Sequence, residues 1–517
     1  MSDLRFGTDG WRDRMDGRFT HANVARAAHA TAEHVRDGGG RAVAVAFDGR
    51  QDGAAFARTV ADVLAAHGLT VHLASAPLPT PVLSFAVAHL GLDAGVMLTA
   101  SHNPPAWNGF KLKGPYGGTA TDATYRDVAA RVARTPANVR PTDARPSDVR
   151  PSGARPAGGG PVGDVVPLDV RAAYVAHVAT LLDLDLLRRA RGALVHDAMH
   201  GAAAGWIAAL AHDLDLGVRV DGVRANVDPT FGGGHPEPVP AELGPAVARL
   251  RDPGDAWLGV ATDGDGDRVA AVLPGGRVAT AHETFALLLD QRLRAGRTGR
   301  VVRTFTVARN VERLAAARGL PQTETPVGFK WLVGPLREDD VLIAGEESGG
   351  IGLPEHLPER DGIVNGLLLL QAALEVAVDH GADPAQGPAG LAAASDAGAG
   401  ACADAGGALG VRLAELEAET GWRHRYDRRD LPLPHDAARD AVVAALADDP
   451  ATFGGRTVHH VERRDGVKLG FEDGAWLLIR ASGTEPLLRL YVEAHDDADV
   501  AAILDAAEAF VKEVETT

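Results

Sequence analysis

Short runs of apolar residues alternate with longer, alanine-rich stretches of helical spacing along most of the chain. Val43 to Phe47 is uninterrupted apolar sequence and predicts a buried strand, and Ala54 to His67 predicts the helix that follows it. Ala94 to Thr99 predicts another strand, as do Leu258 to Ala261, Val341 to Ala344 and Trp476 to Ile479. Strands and helices in this alternation imply α/β layers with much parallel pairing.

Two segments break the pattern. From Val139 to Gly158 the text repeats every five residues as VRPTD, ARPSD, VRPSG, ARPAG. Each proline removes a backbone donor and blocks helix or sheet continuation, so a flexible, exposed insertion over about residues 135–163 is expected. The stretch from Gly381 to Gly410 is rich in Ala, Gly, Asp and Pro without periodicity and reads as an interdomain linker. A chain of 517 residues exceeds one core, and about 100–200 residues per domain gives three or four.

Composition narrows the classes. Hydrophobic residues are 45% of the chain, which excludes a wholly disordered protein. A formal net charge of −17, from 52 Lys+Arg against 69 Asp+Glu, argues against a nucleic-acid or membrane-surface binder. Lysine occurs only at 111, 113, 330, 468 and 512, so arginine carries most positive charge, and an anionic ligand would need a local cluster of it. The single cysteine, Cys402, excludes intramolecular disulfides and cysteine-rich metal sites. With no signal-like start and no run of about 18 apolar residues, a soluble, cytoplasmic protein is expected.

Several predicted strands end in a polar, glycine-containing loop, the place where open α/β sheets bind ligands. Thr99-Ala100-Ser101-His102-Asn103-Pro104 follows the first of these, with Lys111 downstream. Ser101 reads as exposed at a sheet edge, and taken on its own it reads first as an N-cap serine starting a helix. The loop Thr262 to Arg268 sets Asp263, Asp265 and Asp267 at alternating positions with glycines between, a donor set suited to one hard cation such as Mg²⁺. A calcium EF-hand loop would need glycine and glutamate where Arg268 and Pro274 stand, so that reading fails. Gly345-Glu346-Glu347-Ser348-Gly349-Gly350 could hydrogen-bond sugar hydroxyls or be an ordinary polar loop. Arg480-Ala481-Ser482-Gly483-Thr484-Glu485-Pro486, with Arg489 beyond it, makes a phosphate cradle or a plain turn.

Taken together, these loops resemble the α-D-phosphohexomutase family along nearly the whole chain. The matching segments are Phe6-Gly7-Thr8-Asp9-Gly10-Trp11-Arg12, Thr99 to Pro104, Asp263 to Arg268, Gly345 to Gly349 and Arg480 to Pro486, in the family's order. Pro326-Val327-Gly328-Phe329-Lys330-Trp331 and Arg360-Asp361-Gly362 also resemble phosphoglucomutases. The resemblance implies an α/β chain of four domains around a cleft: three similar units with mixed sheets (1–166, 167–277 and 278–383), a flexible linker (384–410), and a smaller, hinged α+β C-terminal domain (411–517).

It further implies that Ser101 carries a phosphoryl group and joins Asp263, Asp265 and Asp267 around one Mg²⁺. Lys111, assisted by Arg12 and His102, would act as acid or base, serving as base only if neighbouring cations or burial depress the lysine pKa. Arg480, Ser482, Gly483, Thr484 and Arg489 would hold the other phosphate. Glu346 and Ser348 would bind the sugar, with Arg268 and Lys330 nearby. The implied reaction interconverts hexose 1- and 6-phosphates through a hexose 1,6-bisphosphate, which also serves as activator, in a monomer or homodimer. Glucose is the expected sugar; mannose, a bifunctional enzyme, and then glucosamine are the alternatives. A phosphoserine-using phosphatase is the rival from another class, and a non-catalytic sugar-phosphate sensor is a third reading.

Overall fold

The computed structural model of the chain describes residues 4–7, 9–136, 162–394, 406–481 and 487–516. The proline repeat and Cys402 lie outside them, as do Thr8, Ser482, Gly483 and Thr484. Among the described residues four sheets follow one another along the chain. In the first the strand order is Trp11–Arg14, Trp107–Lys113, Ala94–Leu98, Ala42–Phe47, Thr70–Leu73, Val165–Pro167. In the second it is Val269–Val272, Ala256–Thr262, Ala193–Asp197, Arg219–Val223. The third runs Gln322–Thr325, Arg300–Thr304, Val341–Gly345, Ile351–Leu353, Leu357–Arg360. These three are mixed, with parallel centres and antiparallel additions. The fourth is antiparallel, ordered Arg425–Pro432, Leu487–Ala494, Trp476–Ala481, Val467–Phe471, Arg456–Glu462, Thr452–Phe453.

One device recurs in the three mixed sheets. A fully buried parallel strand (Ala94–Leu98, Ala256–Thr262 or Val341–Gly345) ends in a loop, and the chain returns antiparallel beside it. Three of the loops singled out in the sequence, those of Ser101, the aspartates and Glu346, are the turns of such hairpins. Each therefore emerges at the carboxyl end of a central strand, where side chains from successive layers can meet.

The helix Gly362–Asp379 is packed centrally and is buried along most of its length. Leu367, Leu368, Leu369 and Leu370 are each 0% exposed, and burying a leucine contributes about 1.5–3 kcal/mol. Among the described residues this helix is long and apolar enough to cross a membrane by length and composition, yet 83% of it is buried inside the protein. Apolar residues all round a helix here signal core packing.

The described ends of the expected linker are helical, at Pro388–Ala394 and from Gly407 onward. The helix Gly407–Thr420, expected to open the C-terminal unit, instead buries Leu409, Leu413 and Leu416 in the core shared with Gly362–Asp379. Arg412 fixes it there, with Nη2 2.7 Å from Asp290 on the helix Ala281–Arg294. The alanine-rich text hid a short amphipathic pattern.

Candidate active site

Ser101 is held in a tight turn, not at a helix start. Its φ is +55°, in the left-handed region, and the following residues lead into the strand Trp107–Lys113. It is also not exposed, as expected from sequence, but 1% accessible, because the aspartate loop of the second sheet closes over it. Ser101 N donates to Thr99 Oγ1 at 2.8 Å, and Ser101 Oγ donates to Asp263 Oδ2 at 2.8 Å. His102 Nδ1 lies 3.3 Å from Oγ. Burial, then Arg268, Arg12 and Lys111, push the His102 pKa far down, so its ring is neutral.

Asp263, Asp265 and Asp267 are wholly buried, and one oxygen from each falls within 4.8 Å of the others. The loop needs its glycines: a Cβ on Gly264 would stand 2.5 Å from Ser101 O, and Gly266 has φ +75°. Asp263 Oδ1 accepts from Asp267 N and Arg268 N at 3.0 and 3.1 Å. Asp265 Oδ2 accepts from Thr80 Oγ1 at 2.7 Å and Lys111 Nζ at 2.9 Å. Asp267 Oδ2 lies 2.7 Å from Arg360 Nη2. Burial, with Asp267 and Asp265 alongside, pushes Asp263 well above the usual carboxylate range. For Asp265 burial acts the same way, but Lys111 and Thr80 outweigh it and hold the group low. The sequence suggested three unpaired carboxylates; in the fold, lysine and arginine partners partly compensate them.

The cluster still fits a cation. Asp265 Oδ1 and Asp267 Oδ1 are buried and accept no hydrogen bond among the described residues. Buried carboxylate oxygens without partners are costly, and oxygen donors converging with a serine hydroxyl match a hard divalent ion.

Lys111 sits in a setting opposite to the expected one. Its Nζ is 2.9 Å from Asp265, 3.1 Å from Asp9 and 3.6 Å from Asp267. Burial alone would lower its pKa, but these three carboxylates outweigh that and hold it above the ordinary lysine value. In this arrangement Lys111 is a charged donor. Arg12 Nη1 donates to Asn103 Oδ1 at 3.0 Å, and its Nη2 lies 3.7 Å from Asp9. Arg268 Nη1 lies 3.5 Å from Glu237.

Arg360 ties the Gly345–Gly350 loop to this cluster, with Nη2 also 3.1 Å from Asp9 and Nη1 3.4 Å from Glu346. Burial pushes the Glu346 carboxyl up to about 7, against the pull of Arg360. Ser348 is half-buried in the same turn. Lys330 pairs with Asp122 at 2.9 Å. On the C-terminal sheet Arg480 faces Arg489 across neighbouring strands, which puts both on one face and settles the direction of Arg489. Arg480 Nε donates to Asp465 Oδ1 at 3.1 Å, while Asp465 Oδ2 accepts from Val327 N at 3.0 Å, linking that sheet to the 326–331 loop. The structure thus joins Arg12, Ser101, His102, Lys111, the three aspartates, Arg268 and Glu346 into one cluster.

Sequence reasoning passed over Asp9, Arg50, Thr80 and Asp465 as individual site residues. Arg50 could have been found: Asp48-Gly49-Arg50 is itself a polar, glycine-containing loop at the end of a strand.

Comparison with known proteins decides the family. The four domain descriptions of phosphoglucomutase/phosphomannomutase match in order: alpha/beta/alpha domain I at residues 3–138, domain II at 172–276, domain III at 280–382 and the C-terminal domain at 430–509. The chain belongs to the phosphoglucomutase/phosphomannomutase family. It is therefore an enzyme of the phosphohexomutase class, an isomerase that works by phosphoryl transfer. A solved protein of Thermus thermophilus, described as a phosphomannomutase, shares 37% identity, covers 99% of both chains and superposes with a TM-score of 0.80. A phosphoglucomutase/phosphomannomutase of Thermococcus kodakarensis is 26% identical over 81% of this chain and 78% of its own. A phosphoglucosamine mutase of Mycobacterium ulcerans is 30% identical over 95% of each.

Proposed function

We propose that this protein interconverts hexose 1-phosphate and hexose 6-phosphate, with glucose as the preferred sugar, using Ser101 as a phosphoryl carrier. The observation that carries the reading is Ser101 Oγ, 2.8 Å from Asp263 within a buried triad of carboxylates. A serine hydroxyl so placed is oriented for transfer and shielded from bulk water, which would otherwise hydrolyse a phosphoserine. Asp263, Asp265 and Asp267 would hold Mg²⁺, which when bound neutralises charge on transferring phosphoryl oxygens.

Lys111 donates to oxygens at the reacting end and, held charged by three carboxylates, serves as acid in the step that protonates a sugar oxygen. Arg12 and neutral His102 flank the carrier. Glu346 and Ser348 bind sugar hydroxyls, with Arg268 and Lys330 bordering them. Arg480 and Arg489, together with Ser482, Gly483 and Thr484, hold the phosphate that is not reacting. The sugar turns over as a hexose 1,6-bisphosphate, so one serine serves both half-reactions. Glutamate at 347, before Ser348, favours glucose as in phosphoglucomutase-like loops. The similarity to a phosphoglucosamine mutase favours glucosamine phosphate as the second reading.

The test is a coupled assay with glucose 1-phosphate, Mg²⁺ and a trace of glucose 1,6-bisphosphate, run beside Ser101→Ala and repeated with mannose and glucosamine phosphates. Glucose 6-phosphate from the wild type, abolished in the variant, is the expected result. Turnover of only another sugar reassigns the substrate, and release of free phosphate in place of an isomer overturns the mutase reading.

A further inference from the structure

Arg50 is a charged side chain only 3% exposed, and it is directed at backbone. Its Nη2 donates to Ser101 O at 2.6 Å and Asn103 O at 2.7 Å, and its Nη1 donates to Pro104 O at 2.8 Å and Trp107 O at 3.0 Å. Four carbonyls of the carrier loop therefore converge on one guanidinium. Nε donates to Asp48 Oδ2 at 2.9 Å, and Asp48 Oδ2 also accepts from Thr99 Oγ1 at 2.6 Å. Thr99 Oγ1 is in turn the acceptor for Ser101 N. From the opposite side the Phe231 ring, contributed by the second α/β unit, lies 4.8 Å from the guanidinium carbon.

These contacts hold both peptide planes flanking Ser101. Thr99 fixes the N–H on one side and Arg50 fixes the carbonyl on the other, so φ and ψ of that residue are determined together. The conformation needs such support, because left-handed backbone is unfavourable for a residue with a Cβ. In this conformation Oγ meets Asp263 Oδ2 while the carbonyl turns toward Arg50. A lysine would supply the charge but not a planar fork able to reach four carbonyls and Asp48 at once.

We propose that Arg50 is the positioning residue that locks Ser101 in the backbone conformation required for phosphoryl transfer. The assignment rests on reading Ser101 as the carrier. In that transfer Ser101 Oγ gains phosphorus and loses its proton, while the sugar oxygen loses phosphorus and gains a proton. Arg50 touches neither reacting atom; it sets where Oγ stands.

The experiment follows phosphorylation of wild type, Arg50→Lys and Ser101→Ala by glucose 1,6-bisphosphate with Mg²⁺, read by intact mass over time. Steady-state KM and kcat and a thermal unfolding midpoint are measured on the same preparations. A misplacement of about 1 Å at the carrier lowers rate on the order of 100-fold, so Arg50→Lys should lose about that factor in phosphorylation rate and kcat. KM should stay within about threefold, because the sugar and distal-phosphate residues are untouched. Thr99→Val, which removes the links to Ser101 N and to Asp48 while leaving the Arg50 contacts to the four carbonyls in place, should shift the same quantities in the same direction, and it carries the test if Arg50→Lys does not fold. A wild type that takes up no phosphoryl group overturns the carrier reading and this assignment with it. A phosphorylated wild type matched within about twofold by folded Arg50→Lys and Thr99→Val overturns the Arg50 assignment alone, as does a loss confined to KM.

Discussion

Glu493 offers the sharpest test of how the C-terminal sheet is attached. Its side chain is 0% exposed and is held by four hydrogen bonds. Oε1 accepts from Trp422 Nε1 at 2.8 Å and pairs with His424 Nδ1 at 2.7 Å. Oε2 accepts from Trp476 Nε1 and from Arg309 N, both at 2.7 Å. Arg309 opens the helix Arg309–Ala317 of the third unit, so a carboxylate from one domain caps a helix N-terminus in another, where negative charge is favoured. Glu493→Gln keeps the shape but replaces one acceptor oxygen by an amide donor, which leaves two buried donors without a partner. At about 1–3 kcal/mol for each, the substitution should cost roughly 2–6 kcal/mol.

The same group fixes a pH signature. Burial would raise the Glu493 pKa, but His424, Arg309 N and Trp422 outweigh it and hold it at about 2, against 4.5 ordinarily. A carboxyl lowered on folding contributes stability that is complete above the unfolded value, near pH 4.5, and is lost as pH falls towards 2. The size is roughly 3 kcal/mol. Thermal unfolding of wild type and Glu493→Gln, with tryptophan fluorescence following the first transition, should show a large gap at about pH 7 that narrows between about pH 4.5 and 3. A gap below about 0.5 kcal/mol at neutral pH, smaller than one typical hydrogen bond, would refute the reasoning, and so would a gap that stays constant down to about pH 3.

Lys113 and Glu359 form a buried ion pair, so Glu359→Gln strands the lysine charge and should cost about 3–5 kcal/mol in denaturant unfolding. Arg480→Ala removes a charge-assisted phosphate contact of about 1.5–3 kcal/mol, which should raise KM for hexose phosphate roughly tenfold to a hundredfold in steady-state assays. An unchanged KM would place the distal phosphate elsewhere.

The chain announces its site wherever chemistry is local in sequence. Asp263, Asp265 and Asp267 are legible because one turn carries all three, and the strand before it reads plainly as an apolar run. The environment of each residue is less legible, because it is set by partners far along the chain. Lys111 was expected among cations and lies among carboxylates, two of them in the aspartate loop, where Asp265 is 154 residues away. Arg360 reaches Asp9 across 351 residues. Ser101 looked exposed because its loop is polar, and only the docking of the second sheet buries it. The Gly407–Thr420 helix was hidden for a different reason: alanine and glycine weaken the hydrophobic period that three buried leucines still carry.

How a chain with a net charge of −17 takes an anionic substrate has a local answer, and the answer divides the cleft in two. At the end that holds Ser101, the proposed carrier, Arg12, Lys111, Arg268 and Arg360 face Asp9, Asp263, Asp265, Asp267 and Glu346, so the cations there are already matched by carboxylates. At the other end Arg480 and Arg489 share one face of the C-terminal sheet. Without a divalent ion the carrier end should repel a phosphoryl group, whereas the arginine end should still attract one. Under the proposed function a hexose bisphosphate occupies both ends and a monophosphate only the second. Removing Mg²⁺ should therefore weaken bisphosphate binding to Ser101→Ala more than monophosphate binding, by about tenfold or more. A like-charge contact near about 4–5 Å is worth a few kcal/mol at the effective dielectric of a protein cleft, which makes tenfold a modest expectation. Titration calorimetry of both ligands with and without EDTA measures the difference, and equal losses for the two would show that the carboxylate cluster does not meet the transferring phosphate.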